Sequence, residues 1–439
     1  AVDRLQSEAR RCRECEMPGC VAGCPAQVEI PQFLRAFAAG DIASAYGILQ
    51  QRNVLPEMCG YVCPAECQCE NGCLEKIFSG KGLPIRDIQL VVCKLARWRG
   101  LTGVRLPEQA SGKEVAVIGA GPAGLACAIR LLELGHSVAI YDRAVALGGT
   151  PQMSIPAFRY AEADEIDAIL APASEGGRLR LFLGKTFGVD YALEQLRANY
   201  DAVFIGIGLA DSEGLGKAKG VMGATAFLKL AKEGKPPVLP PAVAVLGGGN
   251  TAMDAALVAK RLGCRDVYLV YRRSFAEMPA WPTERDSALA EGVHFLLLAA
   301  PLGYDVDSDG NLIGVRICRT ELGEPDQSGR RQPRNLPKTE SLLRVGMAIE
   351  AFGQGVAPEI RRQLAALDFT PDNLLDVHPE TMAASLAGVF AGGDIVNGGA
   401  TVVQSVVEGM RAAGAIDVYL RSAKCAASPA NGQFPKSDV

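Results

Sequence analysis

Histidine is scarce in this chain: His136, His294 and His378 are the whole complement of 439 residues. Sites and mechanisms that need several imidazoles are therefore disfavoured. Charge of one sign is also lacking. The net charge is −4 and the pI about 5.7, which argues against a general nucleic-acid binder or an electrostatic membrane binder. No apolar run reaches the length of a membrane span and no cleavable signal is recognised, so neither a span nor export is expected. Charged residues make up only 21% against 49% hydrophobic ones, which suits a sizeable core and not wholesale disorder. At roughly 150 residues per domain the length suggests about three domains.

Two residue types are abundant. Glycine occurs 49 times, above the usual ~7%, as expected where many tight backbone turns are needed. Cysteine occurs 14 times, with nine in the first 73 residues. The chain is too long for a small disulfide scaffold, so the cysteines read as thiolate metal ligands in a reducing cytoplasm.

Residues 1–108 read as a Cys-rich region of short helices and loops. After Ser111-Gly112-Lys113 the pattern changes to strand, Gly-rich turn, amphipathic helix and strand, the signature of a parallel α/β sheet. The unit occurs twice: VAVIGAGPAGLACAIRLLELGHSVAIYD at 115–142 and VAVLGGGNTAMDAALVAKRLGCRDVYLVYRR at 243–273. The predicted architecture is thus two Rossmann-like dinucleotide-binding domains preceded by a mainly α-helical cysteine domain. The expected boundaries are 1–108 for the helical domain, 109–212 and 353–425 for the first dinucleotide domain, and 213–352 for the second. A frayed tail is expected at 426–439.

In the first copy Gly119 makes the tight turn, Gly121 lets the backbone approach a pyrophosphate and Gly124 allows close helix–strand packing. Asp142 ends the second strand, placed to accept from a ribose hydroxyl. In the second copy Gly247, Gly249 and Ala252 hold the corresponding positions, followed by Asn250 and Thr251 in the helix start. No acid ends the second strand; Arg272 and Arg273 stand there and suit a 2′-phosphate, favouring NADPH over NADH, although a solvated turn would look the same. Two such domains imply one nucleotide held and one exchanging, and FAD beside NAD(P)H is chemically coherent. Gly148-Gly149 is followed by Thr-Pro-Gln-Met, not by a redox Cys pair. Thiol–disulfide reductase activity is therefore disfavoured.

Cys12-x2-Cys15-x4-Cys20-x3-Cys24-Pro25 is close to a ferredoxin-type run, and Cys59, Cys63, Cys67, Cys69 and Cys73 follow. Nine thiols suffice for two [4Fe–4S] clusters with one to spare. Zinc is the competing metal, but a neighbouring flavin gives an electron carrier a task.

With these pieces the sequence resembles the small-subunit family of bacterial glutamate synthase, shared with the N-terminal half of dihydropyrimidine dehydrogenase. The resemblance runs from about Arg11 to Ala413. It rests on CxxCxxxxCxxxCP, CPxxxxCxxxC, GAGPAGL, GGTPQMSIPAFRY, GGGNTAMD, YRRSFAEMPA, AFGQ and GVFAGGDIVNGGATVV. It implies two clusters: one on Cys12, Cys15, Cys20 and Cys73, the other on Cys24, Cys63, Cys69 and Gln89. Cys59 and Cys67 fall outside that pattern, and either could replace Gln89. The resemblance also implies flavin contacts by Gly149 and Asp394, with the helix start Ala400-Thr401-Val402 near the pyrimidine edge. Gly206-Ile207-Gly208 departs from the usual Ala-Thr-Gly after its strand.

The expected activity is FAD-dependent NAD(P)H:acceptor electron transfer without a protein acid or base, in a subunit serving a larger redox enzyme. A glutamate synthase large subunit, a dihydropyrimidine dehydrogenase catalytic subunit and a 2-oxoacid oxidoreductase such as phenylglyoxylate dehydrogenase all suit it. Only eleven residues precede Cys12, which leans away from the first. A free-standing NAD(P)H:ferredoxin-type reductase is the alternative, and a zinc-holding scaffold the remote one.

Overall fold

The strand–turn–helix repeat builds two parallel sheets in a computed structural model that describes residues 2–161, 164–211, 214–326 and 329–422. The expected tail at 426–439 lies outside the described residues. The chain divides into two compact units, Ala1–Gln152 with Glu162–Leu209 and Gly355–Val439, and Met153–Ala161 with Ala210–Gln354. The second unit thus takes in a short segment, 153–161, that the repeat alone does not indicate.

The first unit opens with helices Val2–Ala9, Ile30–Ala38, Ile42–Arg52, Pro56–Val62 and Ile85–Trp98. In Ile30–Ala38, Pro31 occupies the first turn, and Ile30, Phe33, Leu34 and Phe37 recur at helical spacing and are buried. The Asp41 side chain caps the next helix by accepting from the Ser44 N–H at 3.0 Å. Burial of each large side chain here contributes about 1.5–3 kcal/mol.

The parallel sheet of this unit has the order Val389–Ala391, Ala202–Ile205, Glu114–Ile118, Ser137–Asp142, Leu179–Leu183. Its central strand is apolar and buried from Val115 to Ile118, as a parallel strand covered on both faces must be. Helix Val402–Arg421 packs on Pro122–Glu133 at Gly409, where a Cβ would stand 2.1 Å from the Ala123 carbonyl oxygen. Buried His136 joins Ser111 Oγ at 2.7 Å to Asp417 Oδ1 at 3.0 Å, fastening the sheet's entry to that helix. Glu165 is buried too, and accepts from the Glu57 and Met58 N–H groups at 2.7 and 2.8 Å. It thereby ties the cysteine-rich helices to the dinucleotide part of the unit, and burial pushes its pKa up to about 8.

The second unit repeats the plan with strands ordered Val221–Gly223, Met347–Glu350, Ala242–Leu246, Asp266–Tyr271, His294–Leu297, all parallel. An antiparallel sheet of Ala299–Val306, Leu312–Pro325, Arg331–Asn335 and Ser341–Leu343 is inserted before its last strand. In both sheets the strand that feeds the Gly-rich turn is central, so each turn opens at a topological switch point, where α/β folds bind ligands.

Candidate functional site

The first Gly-rich turn separates two uses of glycine. Gly119 has φ +103°, and a Cβ there would stand 2.3 Å from the Gly206 carbonyl oxygen; at Gly124 a Cβ would stand 1.9 Å from the Gly119 carbonyl oxygen. Both positions are closed by the protein itself. Gly121 differs: its φ is −79°, and a Cβ would meet nothing nearer than Gly149 Cα at 3.9 Å. Space is left above the N-terminus of helix Pro122–Glu133. Gly149 abuts this point, a Cβ on it standing 2.6 Å from Gly121 Cα, and Gly393 abuts Ala123 of the same helix. Gly121, Gly149 and Asp394 are therefore brought to one place from three distant stretches of sequence.

Asp142 accepts from the Ala120 N–H at 2.6 Å and the Ala144 N–H at 2.7 Å. It holds the turn against the strand end and keeps lone pairs for a further donor. Asp394 accepts from Ser405 Oγ at 3.4 Å, and burial raises its pKa. Glu408, which the sequence reading did not single out, accepts from the Gly393 N–H at 2.6 Å and from Asn397 Nδ2. Asn397 Oδ1 in turn accepts from the Gly399 and Ala400 N–H groups. Thr401 and Gln404 cap the helix that begins at Val402. The only sequence signal for Glu408 is its place one turn after Gln404 in a motif-led helix.

The second turn repeats the steric division. Gly247 has φ +148° and a Cβ there would stand 2.3 Å from the Ala351 carbonyl oxygen, whereas a Cβ at Gly249 meets nothing within 4 Å. Ala252 fills the third position and is fully buried. Asn250 Oδ1 accepts from the Trp281 N–H at 2.9 Å, so this side chain orders the neighbouring loop; Thr251 is exposed. The two arginines part company. Arg272 is exposed. Arg273 is buried and donates to the Arg331 carbonyl at 2.8 Å and to Asp326 at 3.2 Å, holding the inserted sheet.

A further cluster in this unit escaped the sequence reading. Arg159 donates to both carboxylate oxygens of Asp254 at 2.8 and 2.7 Å and pairs with Glu284 at 3.2 Å. Burial still raises Asp254 to about 6, against the pull of Arg159. Lys232 donates to the Ile155 and Tyr160 carbonyls, so segment 153–161 is bound to the unit at two points. Arg159 and Asp254 both lie in quoted motifs, but sequence alone gave no sign that they meet.

The cysteines fall into two groups. Cys12, Cys15, Cys20 and Cys73 line one cavity. Crossing backbones bring them together: a Cβ on Gly72 would stand 2.2 Å from the Gly19 carbonyl oxygen, and one on Gly23 2.7 Å from that of Gln68. Burial, then the neighbouring Cys73 and Cys12, push the Cys20 thiol up to about 12. In the second group Cys24, Cys59, Cys63 and Cys69 influence one another. Cys63 is raised first by hydrogen bonding with Cys59, then by burial. Cys67 is exposed and beside Glu66. Gln89 Nε2 donates to the Pro56 carbonyl at 2.7 Å, which orients its Oε1 as the remaining acceptor. Among the described residues no three His, Cys, Asp or Glu side chains close on a point as a single ion requires. The first group rings a space instead, which fits the donor chemistry of an iron–sulfur cluster. Among the described residues no helix is long and apolar enough to cross a membrane.

Residues 2–100 match the dihydropyrimidine dehydrogenase domain II, 4Fe-4S cluster family, and residues 113–413 the pyridine nucleotide-disulphide oxidoreductase family. The glutamate synthase [NADPH] small chain of Escherichia coli K12 is 35% identical, with 95% of this chain and 92% of that protein covered. The NADP(+)-dependent formate dehydrogenase subunit beta of Moorella thermoacetica is 38% identical over 92% of this chain, which spans 60% of that subunit's length. FprA of Mycobacterium tuberculosis, solved in complex with NADPH, shares the fold with a TM-score of 0.59 at 17% identity, over 74% of this chain and 87% of its own. With its 4Fe–4S-type cysteine domain and two dinucleotide turns, the chain belongs to the pyridine nucleotide-disulphide oxidoreductase family, as a member of its glutamate synthase small-chain branch.

Proposed function

We propose that this chain is an electron-transfer subunit that moves electrons between NADPH and a partner redox enzyme by way of FAD and two [4Fe–4S] clusters. The observation that carries the reading is the coexistence of two open dinucleotide turns, at Gly121 and Gly249, with two groups of gathered thiols. The chemistry supplied by bound FAD is hydride acceptance from a nicotinamide and one-electron release toward iron–sulfur centres.

The protein's own part is binding and orientation. Gly121 and Gly249 leave the backbone bare for a pyrophosphate, and the helix N-termini behind them favour negative charge. Around the flavin, Gly119, Gly124 and Gly149 shape the site, Asp142 takes the ribose and Asp394 the ribityl chain. Ala400, Thr401 and Val402 present a helix start to the pyrimidine edge, where its partial positive charge favours an anion. On the nicotinamide side Gly247, Asn250 and Thr251 form the turn. Arg272 meets the 2′-phosphate, while Arg273 acts from behind by holding the inserted sheet. Cys12, Cys15, Cys20 and Cys73 hold one cluster; Cys24, Cys63, Cys69 and Gln89 hold the other. On this reading 1–108 is the cluster domain, 109–212 with 353–425 the flavin domain and 213–352 the nicotinamide domain, in a reducing cytoplasm that keeps the thiolates.

The partner is inferred to be a larger subunit carrying the substrate chemistry. Relatives named as the small chain of glutamate synthase and as subunit beta of a formate dehydrogenase support a subunit role. Anaerobic purification from the native host, followed by mass spectrometry of stoichiometric companions, tests this. A co-purifying catalytic subunit is expected. Full turnover with a ferredoxin and no companion would instead establish a free-standing reductase. Zinc in place of iron and flavin would end both readings.

A further inference from the structure

Helix Pro56–Val62 brings no cap of its own. Its N-cap residue, Leu55, is apolar and fully buried, and no side-chain hydrogen bond closes the first turn from there. Glu57 and Met58 in that turn are buried as well, so their N–H groups need an acceptor from elsewhere. Glu165 supplies it: the side chain is 2% exposed, and its two carboxyl oxygens accept from the Glu57 and Met58 N–H groups at 2.7 and 2.8 Å. The Glu57 N–H and the Pro56 carbonyl belong to one planar peptide unit. Gln89 Nε2 donates to that same carbonyl at 2.7 Å. A carbonyl can only accept, so Oε1 is the end of the Gln89 amide left for another partner. One peptide plane is thus gripped at its N–H by Glu165 and at its carbonyl by Gln89. At its far end the helix runs directly into Cys63, its C-cap.

We propose that Glu165 is a positioning residue for the second cluster, acting through the Pro56–Glu57 peptide to hold the Gln89 amide with Oε1 free to ligate. The proposal rests on Cys24, Cys63, Cys69 and Gln89 being the ligands. An amide oxygen suits iron–sulfur chemistry less well than a thiolate, so its hold depends on the groups that orient it. Hydrogen bonds at the two ends of one amide also strengthen each other. Arg97 joins the Glu57 side chain at 3.1 and 3.2 Å to Asp164 at 2.9 Å, so these elements stay linked when Glu165 alone is changed.

The test uses the full chain, purified anaerobically as wild type, Glu165→Gln, Gln89→Glu and the double variant. Iron and sulfide are counted, EPR spectra of the reduced protein are recorded, and iron release to a chelator is followed. Glu165→Gln leaves one acceptor oxygen and turns a donor toward the other N–H. Both clusters are expected to assemble in it, with one cluster's share of the iron leaving about tenfold faster, one EPR signal altered and the other share unmoved. Glu165→Asp, one methylene short of reaching both N–H groups, is the milder variant and should shift release in the same direction. Gln89→Glu keeps the length and a ligating oxygen but cannot donate to Pro56, so adding Glu165→Gln to it should not speed release further. Leu193→Ala, a buried position of the dinucleotide part, should lower the melting temperature and leave release unchanged. Wild-type release in Glu165→Gln and Glu165→Asp would overturn the proposal. So would the same acceleration on the Gln89→Glu background, or equal acceleration of both clusters, which marks general loosening. Retention of all the iron in Cys63→Ala would overturn the ligand set itself, separately from the part given to Glu165.

Discussion

The turns at Gly119–Gly124 and Gly247–Ala252 share a steric plan and differ where chemistry enters. In each, the first glycine is closed in by a carbonyl oxygen at 2.3 Å from its notional Cβ, and the second faces open space. At the third position Gly124 leaves no room, with 1.9 Å to the Gly119 carbonyl oxygen, while the second copy accommodates Ala252 fully buried. The strand ends also diverge: Asp142 is bonded to its own turn through two N–H groups, and Arg272 is left exposed. The repeat therefore keeps the closed first glycine and the open second one, and varies the third position and the strand end.

The largest expected effect tests the third position. Gly124→Ala places a methyl against backbone that cannot withdraw, and purified protein should lose at least about tenfold of its flavin, with a marked fall in melting temperature. The reciprocal Ala252→Gly should cost only about 1–2 kcal/mol in helix propensity and lost methyl burial, read from denaturant midpoints. Equal losses in the two would show that the turns are packed alike.

Next comes the second position, where fold and binding should separate. Gly121→Ala and Gly249→Ala meet no clash in the protein, so melting of the nucleotide-free chain should be unchanged. Flavin affinity in the first and NADPH affinity in the second should each fall by about 10- to 100-fold, measured by equilibrium titration. A drop in stability with binding intact would place the ligand elsewhere.

The arginine pair should split in the same manner. Arg272→Ala is expected to raise KM for NADPH by about tenfold and leave NADH unchanged. Arg273→Ala, which strips Asp326 and the Arg331 carbonyl of their donor, should instead lower stability by about 1–3 kcal/mol. Steady-state kinetics with both nucleotides and urea unfolding distinguish the two.

The smallest effect compares one buried carboxylate from each unit. Both Glu165 and Asp254 have folded pKa values raised by burial, from 4.5 to about 8 and from 3.8 to about 6. The folded state then binds more protons than the unfolded one between those limits, so each contribution is greatest at low pH and is lost as pH rises toward the folded value. Glu165→Gln should flatten the fall in unfolding midpoint between about pH 4.5 and 8, and Asp254→Asn only that between about pH 4 and 6. The narrower window of Asp254 reflects the Arg159 guanidinium beside it. Glu165 is bonded by two backbone N–H groups.

Much of this was legible from residues alone because it depends on local patterns. Strand–turn–helix periodicity marked both sheets, and the spacing of Gly119, Gly121 and Gly124 marked a turn that requires glycine at its first and third positions. Cysteine spacing gave Cys12, Cys15 and Cys20 as neighbours. It could not bring in Cys73, which arrives because Gly19 and Gly72 cross backbone to backbone. Nor could it part Cys59 from Cys67, whose burial differs through packing of the helices around them.

The sequence by itself determined the two dinucleotide folds, the cysteine domain and the families of cofactor they suit, because those follow from backbone conformation and from donor type repeated at short range. Tertiary structure alone decided that Glu408 holds Gly393, that Arg159 meets Asp254 and that Arg273 is spent on the inserted sheet. Each of those pairs joins residues from separate elements, and such contacts are set by how elements pack rather than by the order in which they occur.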